Sequence, residues 1–301
     1  GEIAYDTTAV RENGDINATR LEAGLYGTIE RGTWNAKVYN YNSERGIPGA
    51  IVNNVWRRGE RVWDTNSFFQ GSFVKEVNDQ FKTQVNAKYA FYRTHYVNND
   101  DKLIEVDNLY KQREVYVSTA NMYTIFPFWD VSMSYDFQWN EMKADMYGFV
   151  FPTRFTNLLS IATALRLGKV KLQGSGLATF VNDQVKEGPA PKARQILTPA
   201  VFLSYKPFDK HDFSLRAFYK KTFRMPTFND LYYTDMGNSK LDPEYVTQYN
   251  LGIVYQKQWG NKLFRHFKIQ ADGYYNYVKD KIIAYPKGQQ FRWTMLNLGK
   301  V

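Results

Sequence analysis

Cysteine is absent from this 301-residue sequence, and histidine occurs only three times. The lack of cysteine excludes a disulfide scaffold, cysteine-ligated zinc and thiol catalysis. No run of about 18 apolar residues is present, so the sequence predicts no transmembrane helix, and its first residues do not read as a signal peptide. A phosphate-binding loop of the Walker type is also missing, which excludes nucleotide hydrolysis by that route.

Aromatic residues are abundant, at 17% of the chain with 23 tyrosines. The segment 129–139 shows their arrangement, because apolar and polar residues alternate along it. One face carries Trp129, Val131, Met133, Tyr135, Phe137 and Trp139, and the other carries Asp130, Ser132, Ser134, Asp136 and Gln138. A strand that rises about 3.3 Å per residue and tilts by about 40° separates the two tryptophans by roughly 25 Å along a membrane normal, which is the height of an apolar band.

Two further segments, 81–91 and 267–277, alternate in the same way. Strands of soluble sandwiches also alternate, but they are mostly about 5–6 residues long. Long alternating runs with one polar face favour an all-β fold, a transmembrane antiparallel up-and-down β-barrel with lipid outside and water inside.

The connections between the predicted strands alternate in length. Thirteen strands are predicted, over residues 20–30, 33–43, 66–77, 80–97, 110–123, 128–141, 153–167, 169–182, 195–206, 211–223, 245–258, 263–277 and 291–301. Long connections cover residues 44–65, 98–109, 142–152, 183–194, 224–244 and 278–290, and the intervening ones are tight turns. Because outer-membrane barrels have short periplasmic turns and long extracellular loops, we expect the long connections on the outer side.

A longer motif lies between Lys221 and Gly252. It reads Lys-Thr-Phe-Arg-Met-Pro-Thr-Phe-Asn-Asp-Leu-Tyr-Tyr, then Gly-Asn-Ser-Lys-Leu-Asp-Pro-Glu, then Gln-Tyr-Asn-Leu-Gly. Its turn chemistry alone predicts a loop between two strands, since proline and Gly-Asn pairs favour strand ends and turns. The whole stretch closely resembles the signature of TonB-dependent outer-membrane receptors, with Met225 in place of an alanine and Ser239-Lys240 in place of Pro-Asn.

The resemblance implies a barrel of about 22 strands filled by a separate plug domain. Thirteen is an odd number, whereas single-chain bacterial barrels close with an even number, and no segment here reads as the plug. We therefore expect residues 1–301 to be part of the receptor's β-barrel domain, a middle portion with the plug domain absent. A chain from which segments had been omitted would look the same.

In function, the resemblance implies a receptor for energised uptake of a scarce nutrient, and not an enzyme. The expected ligand is cobalamin, then a ferric siderophore, then haem. The expected partners are TonB with its inner-membrane complex, reached through the plug, and in some receptors a surface lipoprotein. A passive porin-like channel and a barrel-borne hydrolase remain open as alternatives, although the three histidines do not converge on a serine in this topology.

The charge of the chain indicates a further class of partner. The formal net charge is +9, with a pI near 9.3. The basic residues are spread over faces and loops, without a helix to carry them, so nucleic-acid binding is not predicted. A basic lumen and rim would attract anionic ligands or the phosphates of lipopolysaccharide. The positive net charge of this chain would be explained equally well if other parts of the protein were acidic and balanced it.

Candidate ligand-binding residues lie in two of the long connections. Arg224, Phe228, Tyr232 and Tyr233 belong to the motif loop, and Trp56, Arg57 and Arg58 form the densest basic and aromatic cluster. Such clusters bind ligands through cation–π contacts, but they also serve as solvated rims or headgroup anchors.

No cofactor is predicted apart from a loop-bound calcium ion. Asp100, Asp101 and Asp107 supply the hard oxygen ligands that calcium prefers, although without the spacing of an EF-hand. His95 is the candidate haem ligand, because no histidine lies between Pro226 and Asn238; Tyr232 and Tyr233 are alternative iron ligands there.

Overall fold

The computed structural model describes residues 12–48, 59–99, 105–188, 190–233, 236–258, 265–287 and 292–300. Over these ranges the chain forms thirteen strands and one short helix. The strands are β1 (Ile16–Ile29), β2 (Gly32–Ile47), β3 (Glu60–Glu76), β4 (Phe81–Asn98), β5 (Val106–Phe126), β6 (Trp129–Ala144), β7 (Thr153–Leu167), β8 (Val170–Gln184), β9 (Arg194–Tyr205), β10 (Asp212–Arg224), β11 (Glu244–Gln258), β12 (His266–Lys287) and β13 (Arg292–Lys300), and the helix is α1 (Phe228–Tyr232).

The strands form one antiparallel sheet in which each strand pairs with the next along the chain, from β1 at one edge to β13 at the other. This is the up-and-down order of an outer-membrane barrel wall. The prediction of an all-β antiparallel fold with thirteen strands is therefore confirmed. In the part of the chain that the structure describes, no helix has the length and apolarity that a membrane crossing requires.

The two faces of the sheet differ in polarity, as the alternation predicts. The outward face exposes large apolar side chains along its whole width; examples are Leu25, Val38, Phe69, Tyr89, Met133, Ile161, Leu197 and Leu251. The opposite face, the lumen face, carries polar pairs such as Tyr116 with Asp136, whose hydroxyl and carboxylate oxygens are 2.8 Å apart. Exposed apolar surface of this extent is typical of a lipid-facing wall.

The two ends of the barrel wall also differ. At one end, the turn end, the connections are tight hairpins such as those after Ile29 and Leu167. Gly168 forms the second of these hairpins with a φ of +56°, a conformation that glycine adopts at no steric cost. At the other end, the loop end, longer segments join the strands, among them residues 48–59, 185–193 and 225–243. The predicted separation of short and long connections is confirmed, except at the loop end between β12 and β13, where only residues 288–291 separate the two strands.

Several strands continue beyond their predicted bounds at the loop end. The largest difference is in β12, which runs to Lys287 instead of stopping at residue 277. Its extension pairs with β13 from Lys279 opposite Lys300 to Lys287 opposite Arg292. The predicted long connection over residues 278–290 is therefore mostly strand. The backbone pairing of β12 with β13 continues here, although apolar and polar side chains no longer alternate strictly along the strand.

The buried apolar core is small and lies inside the loop end. Its members come from the lumen faces of β5 and β6, from the β6–β7 loop, from the segment between β10 and β11, and from β12: Tyr110, Met142, Ala144, Phe149, Phe228, Leu231, Tyr232, Leu241 and Ile282. The β10–β11 segment thus folds inward across the lumen and packs against β5 and β6, which are distant from β10 in the strand order of the sheet.

Candidate ligand site in the barrel lumen

The segment 225–243, here called the signature loop, starts with a capped helix. Thr227 is the N-cap of α1, and its side chain accepts a hydrogen bond from the backbone N–H of Asp230, while Asp230 accepts one from the N–H of Thr227. This reciprocal capping box satisfies two backbone donors that a helix start leaves open. Arg224 also contacts Asp230, at 3.0 Å. The motif residues therefore build a short helix that turns the chain inward.

A buried ion pair holds the signature loop to the wall. Arg154 of β7 donates two hydrogen bonds to the carboxylate of Asp183 on β8, at 2.6 and 2.7 Å, and a third to the backbone carbonyl of Pro226, at 2.6 Å. Its guanidinium also lies over the ring of Phe228, 5.1 Å from the centroid. A fork-shaped guanidinium suits such a bidentate pair, and it still offers a donor to the loop.

The second half of the signature loop is fixed by amide side chains. Asn238 donates from its side chain to the carbonyl of Met295, at 2.9 Å, and from its backbone to the carbonyl of Asp230. Asn297 of β13 accepts from the N–H of Asp242 and donates to the carbonyl of the same residue. Gly237 lies so close to Leu231 that an added Cβ would come within 2.7 Å of its backbone. These contacts account for the glycine and asparagine of the motif.

A cavity of about 610 Å³ opens on the lumen face beside the signature loop. Side chains of β2 to β6 form its walls, and the signature loop supplies two more residues from above. The lining residues are Arg45, Ile47, Val62, Asp64, Asn66, Tyr92, Thr94, Tyr96, Tyr110, Gln112, Glu114, Met142, Asn229 and Tyr233. The ring of Tyr233 stacks on that of Tyr110, with centroids 4.9 Å apart, and lies 6.5 Å from that of Tyr96.

The charged groups around the cavity are largely paired with one another. Arg45 lies 3.7 Å from Asp64, which also accepts a hydrogen bond from the Thr94 hydroxyl at 2.7 Å. Lys88 lies 2.9 Å from Glu114. Because the charged groups are paired with one another, the aromatic rings and amide groups are the parts of the lining that remain to contact a ligand. The cavity is therefore suited to a bulky ligand with both flat apolar and hydrogen-bonding surfaces.

The tyrosine hydroxyls at the top of the cavity stay protonated. Burial, with smaller effects from nearby Tyr110, Asp64 and Glu60, raises the pKa of Tyr233 to about 12. Burial and the carboxylate of Glu60, which accepts a hydrogen bond from Tyr96 at 3.1 Å, raise the pKa of Tyr96 as well. Both hydroxyls consequently keep their proton at neutral pH, and that of Tyr96 donates it to Glu60.

We expect Tyr233 to ionise only near pH 12, above the value of about 10 for a free tyrosine. Since the raised pKa favours the neutral form in the fold, its contribution to loop stability should be complete below pH 10 and should disappear as the pH rises through 12. Tyrosinate absorbance during alkaline titration, compared between the native protein and Tyr233→Phe, measures this directly. A difference titration centred at pH 10 would contradict the burial of Tyr233.

The predicted residues of the signature loop occupy different positions. Tyr233 lines the cavity, whereas Phe228 and Tyr232 are buried in the core, at 5% and 9% exposure. The Tyr232 hydroxyl has no hydrogen-bond partner among the described residues. Arg224 is half-exposed beside Asp230. The loop lies at the expected end but folds inward, so Phe228 and Tyr232 offer a ligand little surface in this conformation; ligand contact by any of the four remains a prediction.

The other predicted residues lie away from the cavity. His95 is on the outward face of β4, where Nε2 lies 2.6 Å from a carboxylate oxygen of Asp107 and the ring stacks on Trp63 at 5.1 Å. A haem in the lumen would not meet this ring. Trp56, Arg57, Arg58, Asp100 and Asp101 lie outside the described residues. Within the described ranges, no three histidine or carboxylate groups lie together as metal ligands.

Sequence reasoning did not single out Tyr92, Tyr96 and Tyr110 as lumen residues. The signal was present for the first two, because extending the alternation of β4 past residue 91 places both on the same face as Lys82 and Lys88. Tyr110 is next to Thr94 across the β4–β5 pair, which only the register reveals. Arg154 gave no local signal at all.

The antiparallel wall, its lipid-facing surface and its inward-folded loop define a transmembrane β-barrel of the bacterial outer-membrane type. Within that class, the family model for "TonB dependent receptor-like, beta-barrel" matches residues 4–301. The chain belongs to this family. No curated protein matches the sequence.

Solved structures show the same fold at low sequence identity. The copper transporter OprC superposes with a TM-score of 0.73 at 16% identity, over 94% of this chain and 48% of that one. The iron transporter FrpB from Neisseria meningitidis gives 0.70 at 13%, over 95% and 48%. The ferric citrate transporter FecA gives 0.62 at 12%, over 89% and 48%. The chain therefore spans about half the length of these structures.

Proposed function

We propose that this chain forms part of the barrel of an outer-membrane receptor that takes up a scarce nutrient with energy delivered through TonB. The observation that carries the proposal is the cavity at the loop end, whose walls come from β2 to β6 and whose upper side comes from the signature loop. Family membership supplies the transport class. The solved structures of the same fold are transporters of copper, iron and ferric citrate.

The cavity favours a small-molecule nutrient of compact, partly aromatic character. A volume of about 610 Å³ lies within the range of small-molecule sites, roughly 300–1,000 Å³. Four tyrosine rings and three amide side chains line it, which suits a ferric siderophore, a haem or one part of a corrinoid. These three ligand classes are the ones we propose.

Transport requires parts of the protein beyond this barrel wall. We propose that a plug domain fills the lumen, that TonB and its inner-membrane complex act on the plug, and that the loop end faces the exterior. The charges of the lumen face are mostly paired, which supports contact between this wall and the polar surface of a plug domain. No chemical step on the ligand is part of this proposal; we assign the chain to transport without catalysis.

The proposal is tested by titrating the full-length receptor in detergent with cyanocobalamin, haemin and a panel of ferric siderophores. Tight calorimetric binding of one class is expected, followed by uptake in cells that stops when the proton gradient is collapsed. Uptake that survives collapse would favour the passive channel instead. Turnover of an ester or peptide that depends on serine or histidine would favour the hydrolase.

A further inference from the structure

Basic residues gather on the outward face of β4, β5 and β6 near the loop end. Arg93, Lys111 and Lys143 lie directly opposite one another across the three strands, with Arg93 paired to Lys111 and Lys111 to Lys143. Arg113 follows two residues further along β5, on the same face. We call Arg93, Lys111, Arg113 and Lys143 the basic cluster.

The height of the basic cluster is set by the row of side chains beneath it. Tyr89, Val115 and Trp139 form a cross-strand row on the same face, directly below the row that contains Arg113. Two residues along a tilted strand correspond to about 5 Å along the membrane normal. The cluster therefore begins where the apolar band ends, at the level of lipid headgroups.

The cluster is poorly neutralised by the protein itself. Glu141 lies 3.1 Å from Lys143, but no carboxylate pairs with Arg93, Lys111 or Arg113 in the ranges that the structure describes. Lys111, Arg113 and Lys143 are exposed. Like charges directly opposite each other across strands are destabilising, so such a row is unfavourable unless an anion lies between its members. Arg61 on the same face, by contrast, has Asp15 and Glu44 as partners.

We propose that the basic cluster binds the phosphate groups of lipopolysaccharide, with the acyl chains lying against the aromatic row below. This inference rests on the outer-membrane location proposed above, since the loop end then faces the leaflet that carries this lipid. Guanidinium and ammonium groups bind phosphate through short, charge-assisted hydrogen bonds. Lipid A carries its phosphates at the boundary between sugar and acyl chains, which is the boundary that the cluster occupies on the wall.

The test uses the full-length receptor, delipidated in detergent, and measures binding of bisphosphorylated lipid A by native mass spectrometry. The triple variant Arg93→Gln, Lys111→Gln and Arg113→Gln should bind roughly 100-fold more weakly, because each surface cation contributes about fivefold. The matched control changes Lys169, Lys206 and Lys210 at the turn end to glutamine. It removes the same charge and should bind as tightly as the native protein.

Two outcomes would overturn the proposal. Equal affinity of the triple variant and the control would show that the basic cluster is not the site. Equal affinity of the native protein for phosphatidylglycerol or inorganic phosphate would show that lipopolysaccharide is not its specific occupant. Should the triple variant fail to fold, Lys111→Gln alone should still weaken binding roughly fivefold.

The proposed transport function is checked separately on the same variants. Nutrient affinity and uptake should be unchanged in the triple variant, because the basic cluster is on the outward face and the cavity is on the lumen face. Loss of lipid A binding with intact nutrient binding supports the inference. Intact lipid A binding together with absent nutrient binding would contradict only the proposed function.

Discussion

Replacing Arg154 by alanine is expected to free the signature loop from the barrel wall. The change leaves the carboxylate of Asp183 buried without its partner, and it removes the hydrogen bond to the carbonyl of Pro226. Both side chains of the pair are nearly inaccessible, at 10% and 4% exposure. Breaking a buried pair by removing one member costs about 3–5 kcal/mol, because an uncompensated charge remains.

Hydrogen exchange in residues 225–233 and 236–243 measures this loss in the folded receptor. We expect the protected amides of α1 to exchange roughly 100-fold faster or more in Arg154→Ala, which corresponds to about 3 kcal/mol. The control is Arg166→Ala on the same strand. Arg166 also pairs with an aspartate, Asp130, at 2.6 Å, but it is 45% exposed, and exposed pairs contribute only about 0–1 kcal/mol. Equal exchange in the two variants would mean that the buried pair does not hold the loop.

The position of the signature loop explains why its motif is so specific. Its residues satisfy several constraints at once: a capped helix start at Thr227, a close backbone approach at Gly237, and side-chain hydrogen bonds from Asn238 to β13. None of these is a ligand contact in itself. The motif therefore defines a shape, and that shape brings Asn229 and Tyr233 to the cavity.

The sequence predicted the barrel wall well because a period of two is imposed by lipid on one side and water on the other. The alternation of β6 from Trp129 to Trp139 is an example: the strand is unbroken over this segment, and it exposes Met133 and Tyr135 while Asp136 pairs with Tyr116 on the lumen face. Prediction failed where that contrast ends. In β12 beyond residue 277, polar groups occupy both faces, so the pattern fades while the backbone ladder continues to Lys287.

The candidate site was predicted only in part, for a related reason. Local patterns identify the loop that carries Tyr233, but its direction depends on long-range partners. Arg154 and Pro226 are 72 residues apart in the chain, and no local signal connects them. Burial of Phe228 and Tyr232 follows from that contact, which is why both looked like exposed loop residues in the sequence.

Replacing Tyr96 by alanine is expected to weaken nutrient binding without changing the barrel. Tyr96 lines the cavity, donates to Glu60 and lies 6.5 Å from Tyr233. Truncation of a large aromatic anchor at a binding site typically costs about 2 kcal/mol, which is roughly a 30-fold loss of affinity. Calorimetric titration of the full-length variant with the ligand that binds the native receptor gives the value. Tyr233→Ala should weaken binding to a similar extent.

The matched control is Tyr89→Ala on the same strand. Tyr89 lies seven positions before Tyr96 and therefore on the opposite face, where it is 47% exposed. The Tyr89→Ala variant loses the same kind of side chain from the same strand, yet its affinity for the nutrient should equal that of the native protein. Hydrogen exchange of the signature loop should be unchanged in Tyr96→Ala, which separates a lost contact from a displaced loop. Equal affinities of Tyr96→Ala and Tyr89→Ala would place the nutrient outside this cavity, because only the lumen face distinguishes the two residues.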